Sequence, residues 1–182
     1  DPVGVSGSSY RREKCLELMK IIHPTCIRGN YSEIQALLHN CGTVTGVDAA
    51  EDALAEAEET DLPELMKQYA KENQMILVAS GETDLITDGS CVYRCHNGSP
   101  MMARITGSGC MSTVMLGAFL SAENSVESAV ACCAFTGIAG ELAAKEMTAQ
   151  KRGTMTFRNW FIDAVSLMTP EQLEHGTDVD WF

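Results

Sequence analysis

Positive charge is scarce in this sequence: 13 lysines and arginines stand against 25 acids in 182 residues, for a net charge of −12. With no basic field to collect phosphates, a general nucleic-acid or anionic-membrane binder is excluded. A polyanionic ligand would need local help from backbone amides, one or two arginines and a divalent metal. No apolar run reaches membrane-spanning length without interruption, and no signal-peptide pattern opens the chain, so no membrane partner is expected. The 8 cysteines (Cys15, Cys26, Cys41, Cys91, Cys95, Cys110, Cys132 and Cys133) include no C-x-x-C pair and no zinc-like spacing. They read as reduced core residues, which points to a reducing, cytoplasmic compartment rather than a disulfide scaffold. Internal repeats and low-complexity linkers are also lacking. With 45% apolar and 21% charged residues, what remains is one globular α/β domain over 1–182, strands alternating with helices.

The pattern of apolar residues sets the expected elements. Asp1-Pro2-Val3-Gly4 has no initiator methionine before it and reads as the carboxyl end of a strand, in a fragment or a processed chain. A Gly/Ser loop leads to a helix over 10–22, capped by Ser8 or Ser9, expected to cover a sheet face and stopped by Pro24. Thr25-Cys26-Ile27-Arg28 reads as a short buried strand. Asn30 with Glu33 three residues on fits a capping box for the helix that follows, a role that competes with any metal role for Glu33. An acidic, alanine-rich helix is expected over 45–59, the acids of 51–61 forming a solvated face. Another helix opens at Asp61-Leu62-Pro63-Glu64, and its apolar face ends near Ala70. Met75-Ile76-Leu77-Val78-Ala79 has the continuous apolar character of a central parallel strand. Leu85-Ile86-Thr87 and Cys91-Val92-Tyr93-Arg94-Cys95 flank Asp88-Gly89-Ser90 as a β-hairpin, with a second turn at Asn97-Gly98. Ser125 caps a long alanine-rich helix to about Gln150, an amphipathic helix covers 156–168, Thr169-Pro170-Glu171-Gln172 starts a short one, and an irregular tail runs to Phe182. The 4 histidines, without ligand spacing, read as surface or capping residues, and the methionines as core filling.

The centre of the sequence is Ile105-Thr106-Gly107-Ser108-Gly109-Cys110, running into an apolar stretch expected to be a buried helix. Glycines there permit a sharp turn and close backbone approach, and successive N–H groups at the helix start make an anion site. Cys110 falls in the first turn, where the helix dipole favours negative charge. The competing reading is a tight turn followed by a small buried cysteine.

Taken in order, Asp1-Pro2-Val3-Gly4, Ile27-Arg28-Gly29-Asn30-x-x-Glu33-Ile34, Ser80-Gly81-Glu82-Thr83-Asp84 with Thr87-Asp88-Gly89, and Thr106-Gly107-Ser108-Gly109-Cys110 resemble the motifs of the hydroxyethylthiazole kinase family, over most of 1–165. The resemblance implies a ribokinase-like three-layer α/β/α fold with a mostly parallel, doubly wound sheet. It also implies transfer of a phosphoryl group from ATP, with Mg²⁺, to the hydroxyl of 4-methyl-5-(2-hydroxyethyl)thiazole in thiamine biosynthesis or salvage. Carried over motif by motif, Arg28, Asn30 and Ser80 would contact ATP, Ser80 replacing a more usual threonine. Gly107 would approach the thiazole, Asp1 and Glu33 would hold magnesium through water, and Gly107, Ser108, Gly109 and Cys110 would form the anion hole. Cys110 stands where many members of the superfamily have an aspartate base, and would accept the proton of the hydroxyl or orient it.

Family members carry further strands and helices before the Asp-Pro-Val-Gly motif. The resemblance therefore makes this chain the C-terminal two-thirds of the family domain, lacking the N-terminal part, in a homotrimer with active sites between subunits and with a separate N-terminal chain as a candidate partner. Rival readings are a non-catalytic or incomplete domain that needs a companion chain, a hydroxymethylpyrimidine-type kinase, and a nicotinamide nucleotide hydrate dehydratase. Cys110 disfavours the last two.

Overall fold

The computed structural model describes residues 1–39 and 62–182. The expected helix over 45–59, the acidic run 51–61, the Asp61 cap and Cys41 lie outside the described residues. The chain resolves into two compact units, one of Asp1–Ser80 and Thr87–Val92, the other of Gly81–Ile86 and Tyr93–Phe182.

In the first unit, α1 (Ser9–Ile22) starts where the Ser8 side chain accepts from Arg11 N, and it ends at His23, whose φ of 45° is left-handed. It was expected to cover a sheet face, but no α1 residue is buried, and Leu18, Ile21 and Ile22 are all exposed. Strand β1 (Cys26–Asn30) leads directly into α2 (Tyr31–Leu38), whose inward face is Ile34, Leu37 and Leu38. Helix α3 (Leu62–Asn73) buries Leu62, Met66, Tyr69 and Ala70, so its inward face ends at Ala70 as expected. Strand β2 (Ile76–Ser80) is the buried parallel strand its apolar run predicts, and it pairs in parallel with β1 from Cys26↔Ile76 to Asn30↔Ser80. That register sets Asn30 and Ser80 side by side at the carboxyl ends of two strands.

Strands β3 (Asp84–Thr87) and β4 (Val92–Cys95) flank the expected turn. In it the Thr87 hydroxyl donates to Cys91 O and accepts from Gly89 N, while Asp88 accepts from Ser90 N.

The second unit is built on α5 (Val126–Ala149), capped by Ser125 as expected, with a buried face of Ala129, Cys132, Cys133, Gly137, Gly140, Ala143 and their neighbours. Small residues let other backbone come close: a Cβ on Gly137 would sit 2.5 Å from the backbone oxygen of Asn97. By length and composition α5 could cross a membrane, which corrects the expectation that no segment could. Its buried face instead packs against α4, α6 and α7. Helix α6 (Thr154–Leu167) adds Phe157 and Phe161, both fully buried with stacked rings 6.3 Å apart. Met101, Met102, Met111, Met115 and Met147 pack against this core, the gap-filling role expected of them. Helix α7 (Pro170–Gly176) opens with a Thr169/Gln172 capping box.

The tail beyond α7 was expected to be irregular and is not. Val179–Trp181 forms β5, antiparallel to β4 in the register Tyr93↔Trp181, Arg94↔Asp180 and Cys95↔Val179. Its length, below that of ordinary strands, hid it in the sequence, and cross-strand pairing with Arg94 holds it. Parallel pairing in the first unit and antiparallel pairing in the second make the strand set mixed.

Candidate active site

Glu33 is the organising residue of the first unit's strand-end loops. Its Oε1 accepts from Gly4 N at 2.8 Å, its Oε2 from Asn30 N at 2.9 Å, and its own N–H donates to Asn30 Oδ1 at 2.9 Å. The capping box read from the sequence is therefore present. The same carboxylate also reaches back to the Asp-Pro-Val-Gly turn, and with the Ser32–Ser6 hydroxyl contact it ties the loop after Asp1 to the first turn of α2. Both oxygens already hold an amide, yet a carboxylate oxygen has a second lone pair. Among the described residues no group of three or more His, Cys, Asp or Glu could hold a metal.

Beside them, Asn30 and Ser80 lie at the carboxyl ends of β1 and β2, with Arg28 mid-strand in β1 opposite Val78, and the Ser80 hydroxyl donates to Gly29 O at 3.2 Å. In open α/β sheets this is where ligands bind. The structure thus brings together, within one unit, five of the residues read from the sequence: Asp1, Arg28, Asn30, Glu33 and Ser80.

The others lie in the second unit. Gly107, with φ 95°, is the N-cap of α4 (Ser108–Ala122), and it has no side chain to supply a cap. A left-handed backbone at this position favours glycine. Ser108 Oγ turns away to donate to Met102 O at 2.8 Å, and the first intrahelical bond comes from Met111 N to Gly107 O. The amides of Ser108, Gly109 and Cys110 precede that bond, which is the arrangement that receives anions. Cys110 is exposed, so the competing reading of a buried cysteine is overturned. So is the expectation that the helix behind it is buried. Only Leu116 of α4 is buried and Val114 is 75% exposed, because α5 covers one side and α4 is apolar on its other sides too.

Among the described residues no cysteine forms a disulfide, and Cys95, Cys132 and Cys133 are buried. Burial pushes the Cys95 thiol up to about 12. Of the histidines, His23 and His39 are C-caps and the His175 ring meets Glu171 O, as a surface and capping role predicts. His96 does more. It joins Thr83 to Asp180, a group missed in the sequence because its members are 13 and 84 positions apart.

Strand-end polar residues, a glycine-initiated helix without a side-chain cap, and helices with both parallel and antiparallel strand pairs define an α/β protein. The hydroxyethylthiazole kinase family model matches residues 1–171, and the chain belongs to that family. Among its relatives, hydroxyethylthiazole kinase 1 of Methanosphaera stadtmanae is 39% identical over 91% of this chain and 61% of its own length. The hydroxyethylthiazole kinase of Staphylococcus carnosus is 36% identical over 91% of this chain and 60% of its own. The solved hydroxyethylthiazole kinase protein from Pyrococcus horikoshii superposes with a TM-score of 0.81 at 25% identity, over 100% of this chain and 64% of that one. This chain therefore spans about three-fifths of the length of the curated relatives named here.

Proposed function

We propose that this chain carries the catalytic part of an ATP- and Mg²⁺-dependent kinase acting on the hydroxyl of 4-methyl-5-(2-hydroxyethyl)thiazole, in thiamine biosynthesis or salvage in the cytoplasm. The observation that carries the proposal is the family match over 1–171, with its motifs at strand ends and at a helix start. Arg28, Asn30 and Ser80 bind ATP. Gly107 admits the thiazole, and the amides of 107–110 stabilise charge on the phosphate oxygens as the group moves, which is most of what phosphoryl transfer asks of a protein. Asp1 and Glu33 would hold magnesium through water, and the ion would supply neutralisation of phosphate charge. Cys110 orients the acceptor hydroxyl. A loose transition state asks little of a base, and a thiolate is poorly matched to an alcohol proton.

The test is turnover of hydroxyethylthiazole by the chain with ATP and Mg²⁺, read as phosphorylated product. Cys110→Ala and Glu33→Gln should each lower kcat by about 10²-fold or more, and full activity in both would remove the site assignment. A second reading has its own support: the chain covers about three-fifths of its relatives and leaves α4 largely bare. On that reading it is an incomplete domain that works only with a companion polypeptide, or as part of a homotrimer whose sites lie between subunits. Turnover by the isolated chain at concentrations where sedimentation shows a monomer excludes it.

A further inference from the structure

Three side chains far apart in sequence form a continuous chain of contacts in the second unit. Thr83 Oγ1 lies 3.3 Å from His96 Nδ1, and His96 Nε2 lies 3.2 Å from Asp180 Oδ2. The other carboxylate oxygen of Asp180 receives Arg94 Nε at 2.6 Å, and the Arg94 guanidinium sits 5.0 Å from the ring centroid of Phe182. Backbone pairing fixes the frame: β5 is antiparallel to β4, His96 N donates to Asp178 O at 2.9 Å, and Asp178 N donates to Asn97 Oδ1 at 2.8 Å. With Nε2–H donating to the carboxylate, the other ring nitrogen, Nδ1, meets the Thr83 hydroxyl.

Two features separate this chain of contacts from ordinary surface pairing. It ends on a single turn, 81–84, which closes on itself through Gly81 N donating to Asp84 Oδ1 at 3.0 Å and directly follows Ser80. Its far end is β5, 84 positions along the chain from His96, so side chains of a C-terminal strand reach the Ser80–Asp84 motif.

We propose that Asp180 and His96 are positioning residues: through them β5 holds Thr83, and with it the 81–84 turn, in the conformation that receives nucleotide. The nucleotide part rests on the function proposed above, whereas the hold on the turn does not. Asp180 touches no substrate in this scheme. Arg94, and after it His96, hold its carboxyl below the usual carboxylate range, so it remains a fixed acceptor through neutral pH.

Two measurements on the intact chain test the proposal. Without nucleotide, Asp180→Ala and Thr83→Val should each speed amide hydrogen exchange at 81–84 while leaving α5 unchanged, and Thr83→Ser, which keeps the hydroxyl, should not. With ATP, Asp180→Ala and Thr83→Val should each raise the KM for ATP about three- to tenfold, the range of one hydrogen bond, with kcat unchanged. The double variant should be no worse than either single one, since both cut the same chain of contacts. Unchanged exchange at 81–84 in Asp180→Ala overturns the proposal, as do additive effects in the double variant. If the unaltered chain neither binds nor turns over ATP, the proposed function fails, and the exchange comparison alone then decides whether the turn is held.

Discussion

Glu33 serves two backbone amides from different loops, so its removal costs more than an ordinary cap. Glu33→Ala should destabilise the chain by about 1–3 kcal/mol in urea unfolding, and Glu33→Gln, which keeps one acceptor oxygen, by less. A residue that only caps would let the Gln variant keep its activity; one that also holds a cation would not. Cys95 makes a second prediction at this scale. Its thiol is pushed from 9.0 to about 12, chiefly by burial. Between those values the unfolded chain releases a proton that the folded chain retains, so stability falls as pH rises. The slope approaches about 1.4 kcal/mol per pH unit. Denaturant melts from pH 8.5 to 11 should show this decline, and Cys95→Ala should flatten it.

At the scale of elements, α5 depends on small residues where other backbone presses against it. Gly137→Ala would drive a methyl into the Asn97 backbone and should cost about 1–3 kcal/mol of stability, read as a lower urea midpoint at constant m. The elements also show what was legible in the sequence. The Asn30/Glu33 and Thr169/Gln172 boxes, the apolar run of β2 and the Ser125 cap are local patterns, and each was readable because its partners lie within a few residues. Of the site residues, Asn30 and Ser80 could be assigned to strand ends, but their adjacency needed the parallel register. The burial of α1 and α4 was misjudged because an apolar helix states only that it needs cover, not that neighbouring elements supply it. Strand β5 and the Thr83–His96–Asp180 chain were invisible, since only the pairing of β4 with β5 brings positions 96 and 180 together.

For the whole molecule, strong negative charge coexists with uncovered apolar side chains: Ile21 is 74%, Val114 75% and Leu167 72% exposed. Self-repulsion at a net charge of −12 opposes association and salt screens it. Sedimentation velocity should therefore show little association at low ionic strength and more as salt is raised. The folded chain should bind an anilinonaphthalene dye, with cooperative unfolding retained, as exposed apolar patches do; absence of dye binding would mean that these side chains are covered in solution. The Asn97-Gly98 pair, which follows β4 without forming the turn expected of it, bears on how a sample ages. Such a dipeptide loses ammonia when the glycine nitrogen attacks the asparagine side-chain carbonyl. Here Gly98 N donates to Glu141 Oε1 at 2.8 Å, the Asn97 amide nitrogen donates to Glu141 and to Gly176 O, and Asn97 Oδ1 is held by Asp178 N. With nucleophile and target both restrained, months of storage should leave this asparagine intact in native protein, while peptide mapping of the urea-unfolded chain finds it converted to aspartate and isoaspartate.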